Sequence, residues 1–338
     1  MDKRRGEKNL SKESPEYVRI STAAAITLKY FPGRFYRNAK LTGLNLLVTY
    51  KNGCKASCAY CGLSKMSRGN SFIRVSWPIV EVNDLIERSL LYGKNFKRVC
   101  VGMITHPYAP RDICEIIEKF KKRTNLKISA LITPTLIGKK ELKKIKSAGA
   151  DIATIAIDCA TEKIFENFRR THKWSRYWQI LKEAVEIFGR NNVGIHLIVG
   201  LGESEKEMVD TIQRAYDIGT KTHLFSFYPE EGSVLERWER PTYGNYRRIQ
   251  IANYIINNYG DSSGFKYNEK NQIIDFGIDI NKILDGKIFM TSGCPDENGE
   301  VACNRPFGNE RPSEFIRNFP FLPNDEDMEG IKKQIWEY

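Results

Sequence analysis

The sequence predicts an α/β fold in which a parallel sheet is covered by helices. Two observations carry this reading: six apolar runs of strand length alternate with helix-length segments, and most of these runs are apolar throughout, as strands buried on both faces are. Six such units are too few to complete an eight-stranded barrel.

The elements follow in order. Residues 1–40 are polar and then mixed, and read as an N-terminal extension laid over a core, with one short helix over 23–30. Residues 44–49 are the first strand, followed at once by a cysteine-rich loop. Residues 81–92 read as a helix ended by Gly93, 98–103 as a strand, 111–123 as a helix and 127–132 as a strand. Residues 139–148 form a helix closed by Gly149, 152–158 a strand, 175–188 a helix and 194–199 a strand. A helix over 204–218, a strand over 223–228 and a long helix over 243–259 complete the series. The barrel region is therefore 41–262. Residues 263–338 lack this rhythm and form a C-terminal extension holding Cys294, Cys303, an Arg-Pro-rich run over 304–312 and an acidic end.

A chain of 338 residues with 41% hydrophobic content can bury a core of this size. No stretch approaches the roughly 20 apolar residues of a membrane span, and the basic N-terminus lacks the apolar centre of a signal peptide, so a cytoplasmic protein is expected. Eight cysteines in such a chain argue against a disulfide framework. The net charge is +12, with basic clusters over 119–123 and 139–146. These are either solvated helix faces or a surface for an acidic partner. They are not interleaved with aromatics, which favours an acidic protein domain over nucleic acid.

The densest chemical signal is Gly53-Cys54-Lys55-Ala56-Ser57-Cys58-Ala59-Tyr60-Cys61. Its C-x3-C-x2-C spacing supplies three thiolates from one loop and leaves a metal cluster one ligand short. A structural zinc site closes all four positions, whereas an iron–sulfur cluster with three protein thiolates keeps one iron open to a small molecule. The loop therefore reads as catalytic.

With Tyr60 just before the last cysteine, this pattern resembles the radical S-adenosylmethionine (radical SAM) enzymes. The resemblance implies a partial (β/α)6 TIM-type barrel, a [4Fe-4S] cluster on Cys54, Cys58 and Cys61, and SAM bound to the open iron and cleaved to a 5'-deoxyadenosyl radical. Ile198-Val199-Gly200-Leu201-Gly202-Glu203 resembles a segment of biotin-synthase-like relatives that lies against the adenine, although His196 stands where they usually have glycine. Gly200 and Glu203 become cofactor-binding candidates with Tyr60, and Glu203 is equally a carboxylate suited to a helix start. By the same resemblance Asp158 matches an aspartate that hydrogen-bonds the ribose, and Arg176 an arginine that pairs with the methionyl carboxylate. A helix cap and a surface arginine are the plain alternatives.

Cys100 resembles one ligand of the sulfur-donating cluster of biotin synthase, but Ala130 and Gly194 occupy the approximate places of the other two cysteines. The tail around Cys294 and Cys303, together with Phe35-Tyr36-Arg37-Asn38-Ala39, is similar to the two-protein lipoyl synthases. That resemblance implies a sulfurtransferase of lipoate biosynthesis that inserts sulfur at C6 and C8 of protein-bound octanoyl-lysine. It also implies an auxiliary [4Fe-4S] cluster, for which Cys100, Cys294 and Cys303 are the candidates and Cys159 the reserve. Cys114 reads as a small buried hydrophobe. The implied partners are an octanoylated acidic lipoyl domain or glycine-cleavage H protein, a second synthase component and a reductant such as ferredoxin. A radical SAM mutase or metal-cofactor maturase, a biotin-synthase-like enzyme and an electron carrier remain open.

Overall fold

The computed structural model describes residues 12–69, 75–304 and 314–338. In chain order these contain β1 (Tyr17–Ile20), α1 (Thr22–Thr27), β2 (Gly43–Val48), β3 (Ile79–Glu81), α2 (Val82–Tyr92), β4 (Arg98–Gly102) and α3 (Ala109–Arg123). Next come β5 (Lys127–Ile132), α4 (Lys139–Ala148), β6 (Ile152–Asp158), α5 (Glu162–Phe168), α6 (Trp174–Phe188), β7 (Val193–Val199) and α7 (Glu205–Ile218). The remainder are β8 (Lys221–Ser226), α8 (Tyr243–Tyr259), β9 (Lys266–Tyr267), β10 (Ile273–Asp275) and α9 (Asp325–Ile335).

One sheet runs in the order β3-β1-β2-β4-β5-β6-β7-β8 and is open. From β2 to β8 every pairing is parallel, and β1 joins antiparallel to both β2 and β3. Alternate residues divide the strands between two environments. Leu44, Val99, Ile155, Ile195 and Leu224 pack into the core, while Asn45, Cys100, Thr154, His196 and His223 line one interior cavity. Side chains from all six parallel strands meet at that cavity, so the sheet curls into a partial barrel. The helices bury matching stripes; in α3 these are Ile113, Ile116, Ile117 and Phe120, at the spacing of one helix face.

Several features differ from the sequence reading: α5 was not expected, α1 ends at Thr27 and β8 spans Lys221–Ser226 instead of 223–228. The N-terminal extension is not merely laid over the core, because β1 is a sheet strand with Val18 opposite Val48 and Ile20 opposite Leu46. Glu81 closes β3 and caps α2 instead of starting it. The C-terminal extension contains a ribbon and α9, whose start is fixed by the Asn324–Asp327 capping box.

That extension is held by two fully buried arginines on α8. Arg248 pairs with Glu205 at 2.6 Å and donates to the carbonyls of Ile335 and Glu337, and Arg247 donates to Gln334 and to the carbonyls of Ile316 and Arg317. Residues 292–304 then fold back under the barrel. Ser292 accepts from the Leu224 N–H of β8, Arg98 of β4 donates to the Pro295 carbonyl, and Asn304 bonds the backbone just before β2. The turn closes on itself through the Ala302 and Cys303 N–H groups, both bonded to the Cys294 carbonyl. The Arg-Pro-rich run beyond Asn304 lies outside the described residues. Among the described residues no helix is long and apolar enough to cross a membrane.

Candidate active site

The cysteine loop leaves the C-terminal end of β2, where active sites of this architecture sit. Gly53 turns the chain at φ 60°, and its N–H returns to the Tyr50 carbonyl. The loop is then pinned from several sides: Lys55 N–H to Thr105 O at 2.8 Å, Ser57 N–H to Thr171 Oγ1 at 2.9 Å, and Ala59 N–H to Phe168 O at 2.8 Å. Cys54, Cys58, Tyr60 and Cys61 consequently share one wall of a cavity of about 250 Å³. Burial pushes the Cys58 and Cys61 thiols up, and Cys61 is raised further by the neighbouring sulfurs of Cys58 and Cys54. Among the described residues, no three His, Cys, Asp or Glu side chains are gathered as a single-ion site.

Asp158 ends β6 where the register with β7 shifts, and it takes a left-handed conformation at φ 65°. Aspartate is among the few residues that accept this backbone, and the irregularity re-aims its carboxylate into the cavity. The carboxylate receives the Tyr60 hydroxyl at 2.5 Å and pairs with Arg169 at 3.0 Å. Arg169 is almost wholly buried. It also donates to the carbonyls of Ala156 and Ile157 and to the Tyr177 hydroxyl, and lies 4.8 Å from the Tyr177 ring centroid.

The other cofactor candidates lie elsewhere. Arg176 donates to the Ile137 carbonyl at 2.7 Å and does not line the cavity. The cavity-facing arginine on this connection is Arg169, with His172 beside it; sequence reasoning missed both, since neither sits on a regular element. Gly200 and Glu203 are likewise outside the lining. Gly200 is required by its φ of 104° and by Pro241, which a Cβ would meet at 2.6 Å. Glu203 accepts the N–H groups of Gly200 and Leu201 at 2.7 and 2.9 Å, and burial raises its carboxyl to about 7.

The remaining thiols separate cleanly. Cys100, Cys294 and Cys303 line the cavity. Cys294 lies 3.5 Å from Thr154 Oγ1 and 3.8 Å from His223 Nε2, and Asn45 Nδ2 lies 3.4 Å from Cys303 Sγ. Asn45 is also the register partner of Cys100. Cys159 is buried in the core outside the lining, and Cys114 packs on α3 with its thiol on the Pro110 carbonyl. Ser129 is the register partner of Cys100, so Ala130 faces the opposite side and packs into the core. Between the two thiol groups stand apolar side chains, including Leu47, Met103, Leu131, Ile198 and Phe225. His223 is held neutral, burial and then the charges of Arg98 and Lys221 pushing it down to about 4.

The Radical SAM superfamily model matches residues 48–215, which begin at the end of β2 and include the cysteine loop and Asp158. This chain carries a radical SAM domain. A biotin synthase of Renibacterium salmoninarum is 25% identical over 232 residues, covering 67% of this chain and 64% of that protein. The mitochondrial GTP 3',8-cyclase of Arabidopsis thaliana is 23% identical over 192 residues, 56% of this chain and 47% of that one. The chain thus spans less than two thirds of the length of these relatives. Among solved structures, methylornithine synthase (TM-score 0.52, 17% identity, 70% of this chain and 66% of that one) and the [FeFe]-hydrogenase maturase HydG (0.54, 15%, 70% and 53%) share the fold. The family implies a [4Fe-4S] cluster and SAM, and three thiols of one loop on one cavity wall fit such a cluster with one iron left open.

Proposed function

We propose that this protein is a radical SAM sulfur-insertion enzyme, one component of a two-protein lipoyl synthase acting on octanoyl-lysine of a carrier domain. The observation that carries the reading is a single cavity with Cys54, Cys58 and Cys61 at its mouth, Cys100, Cys294 and Cys303 on its floor, and an apolar wall between them. The match to a biotin synthase supports sulfur insertion, alongside matches to GTP 3',8-cyclases of a different radical chemistry. When bound, a [4Fe-4S] cluster with SAM supplies a 5'-deoxyadenosyl radical, and an auxiliary iron–sulfur cluster supplies sulfur.

The chain's own residues supply placement. Asp158, fixed by Tyr60 and Arg169, presents a carboxylate oxygen to a ribose hydroxyl. Leu47, Leu131, Ile198 and Phe225 hold an unactivated acyl chain and exclude water. The exposed Lys140, Lys143 and Lys144 of α4 are the proposed docking face for an acidic carrier, while Lys139 and Lys146 are engaged by Glu186 and the Ile187 carbonyl. A ferredoxin-type reductant and a second synthase component complete the proposal.

Replacing Cys294 and Cys303 together by Ala tests it. SAM cleavage should persist while the floor iron and all sulfur transfer are lost, with folding checked by circular dichroism. Unchanged iron content would make both cysteines structural and leave a radical enzyme without a sulfur donor.

A further inference from the structure

We propose that His223 and Cys294 bind one and the same metal atom on the cavity floor, so that the floor centre has mixed thiolate and imidazole ligation. The inference rests on the reading that the floor thiols hold a second iron–sulfur cluster; it adds a ligand to that reading and makes the centre a [2Fe-2S] one where the resemblance implies [4Fe-4S].

The geometry is specific. His223 Nε2 stands 3.8 Å from Cys294 Sγ. Bonds of about 2.1 Å to imidazole nitrogen and about 2.3 Å to thiolate, at a tetrahedral angle, set two ligands of one atom roughly 3.6 Å apart. The pair therefore needs to move by only a few tenths of an ångström to share an ion. Space for the ring is provided by the neighbouring strand: a Cβ on Gly194 would meet His223 Nε2 at 2.8 Å. Any side chain at 194 would displace the imidazole from Cys294.

A second pair lies on the same floor, joined to the first where the Cys303 N–H meets the Cys294 carbonyl. Cys303 Sγ is 3.4 Å from Asn45 Nδ2, and Asn45 is the register partner of Cys100, so Cys100 and Cys303 flank the same asparagine. In a [4Fe-4S] cluster each iron takes one protein ligand, whereas each iron of a [2Fe-2S] centre takes two, and imidazole replaces thiolate in some of these. Two pairs of ligands on one floor match the second type: Cys294 with His223 on one iron, Cys100 with Cys303 on the other.

The test uses the full chain with Cys54, Cys58 and Cys61 changed to Ala, reconstituted anaerobically with iron and sulfide so that only the floor centre is loaded. The expected result is about two irons per chain and, after reduction, an electron spin echo spectrum with a histidine nitrogen coupling. His223→Ala in that background should abolish the coupling. His223→Cys, which keeps a ligand in place, should retain the iron, lose the coupling and lower the reduction potential, since imidazole ligation raises it. About four irons with no nitrogen coupling, or a coupling that survives His223→Ala, would overturn the proposal while leaving a second cluster in place. No iron at all would instead overturn the underlying reading, and the two failures are distinguishable by the iron count.

Discussion

Asp158 concentrates most of the site's construction in one residue: a left-handed backbone, a shifted register, a tyrosine hydroxyl and a buried guanidinium. Removing its charge leaves Arg169, with only 6% of its side chain exposed, without its counter-ion. Asp158→Asn keeps the backbone conformation and an acceptor for Tyr60, so it isolates that electrostatic loss. It should destabilise the protein by about 3 kcal/mol, the lower end of the range for breaking one side of a buried pair. A urea midpoint equal to that of the unchanged protein, at equal slope, would show that the carbonyls of Ala156 and Ile157 suffice to hold Arg169. The aspartate was legible in the sequence because it ends an apolar strand. Its arginine partner was not, because Arg169 follows the end of α5, an element too short to show a period. Three of the four histidines line the cavity, a grouping that only the fold brings about.

At the scale of elements, the turn from β7 to α7 shows how a polar group is stored in a loop. Glu203 accepts two backbone N–H groups, which favours its ionised form, yet burial outweighs them and its carboxyl is raised from 4.5 to about 7. A raised carboxyl binds more protons folded than unfolded between these values. The stability it contributes is complete below about pH 4.5 and is lost as the pH rises through about 7. The loss is on the order of 3 kcal/mol. His172 and His223, lowered to about 3 and about 4, slope the other way over much of this window, so the informative quantity is a difference between two proteins. The Glu203→Gln variant should gain on the parent between pH 5 and pH 8 in its urea midpoint. A gap that stays constant with pH would mean that the carboxylate is ionised throughout. The long elements of this region were legible: β5, α4, β6 and α8 have the bounds that apolar runs and closing glycines predict, and Ser204 with Glu207 fixes the start of α7. β1 and β3 were not, because strands of four and three residues carry too little pattern and gain their pairing only from the finished sheet. α9 was hidden by its acidic first turn, although its cap box is plain in the sequence.

At the scale of the whole molecule, the fold brings distant parts of the chain to one cavity. The loop after β2 supplies its mouth, the strand interiors its wall, and a turn some 240 residues downstream its floor, anchored by Arg98, Ser292 and Asn304 and clamped from behind by Arg247 and Arg248. The alternation of apolar runs with helices made the parallel sheet legible, and the resemblance carried by the three-cysteine loop implied the partial barrel and the mouth. The floor was legible only as two cysteines beside glycine and proline, because what aims them inward is the packing of the tail beneath the strands. The positive charge is less concentrated in the fold than in the sequence: Lys119 and Arg123 pair with Glu115 and Glu87, and the exposed lysines of α4 remain. In the proposed function this cavity joins a radical source to a sulfur source. Its most direct test is mass spectrometry of an octanoyl-lysyl peptide incubated anaerobically with reconstituted protein, SAM and a reductant. The expected products are 5'-deoxyadenosine and a peptide that has gained sulfur on its acyl chain; 5'-deoxyadenosine with no sulfur gained, in protein shown to hold iron at both ends of the cavity and saturated with peptide, would rule out sulfur insertion.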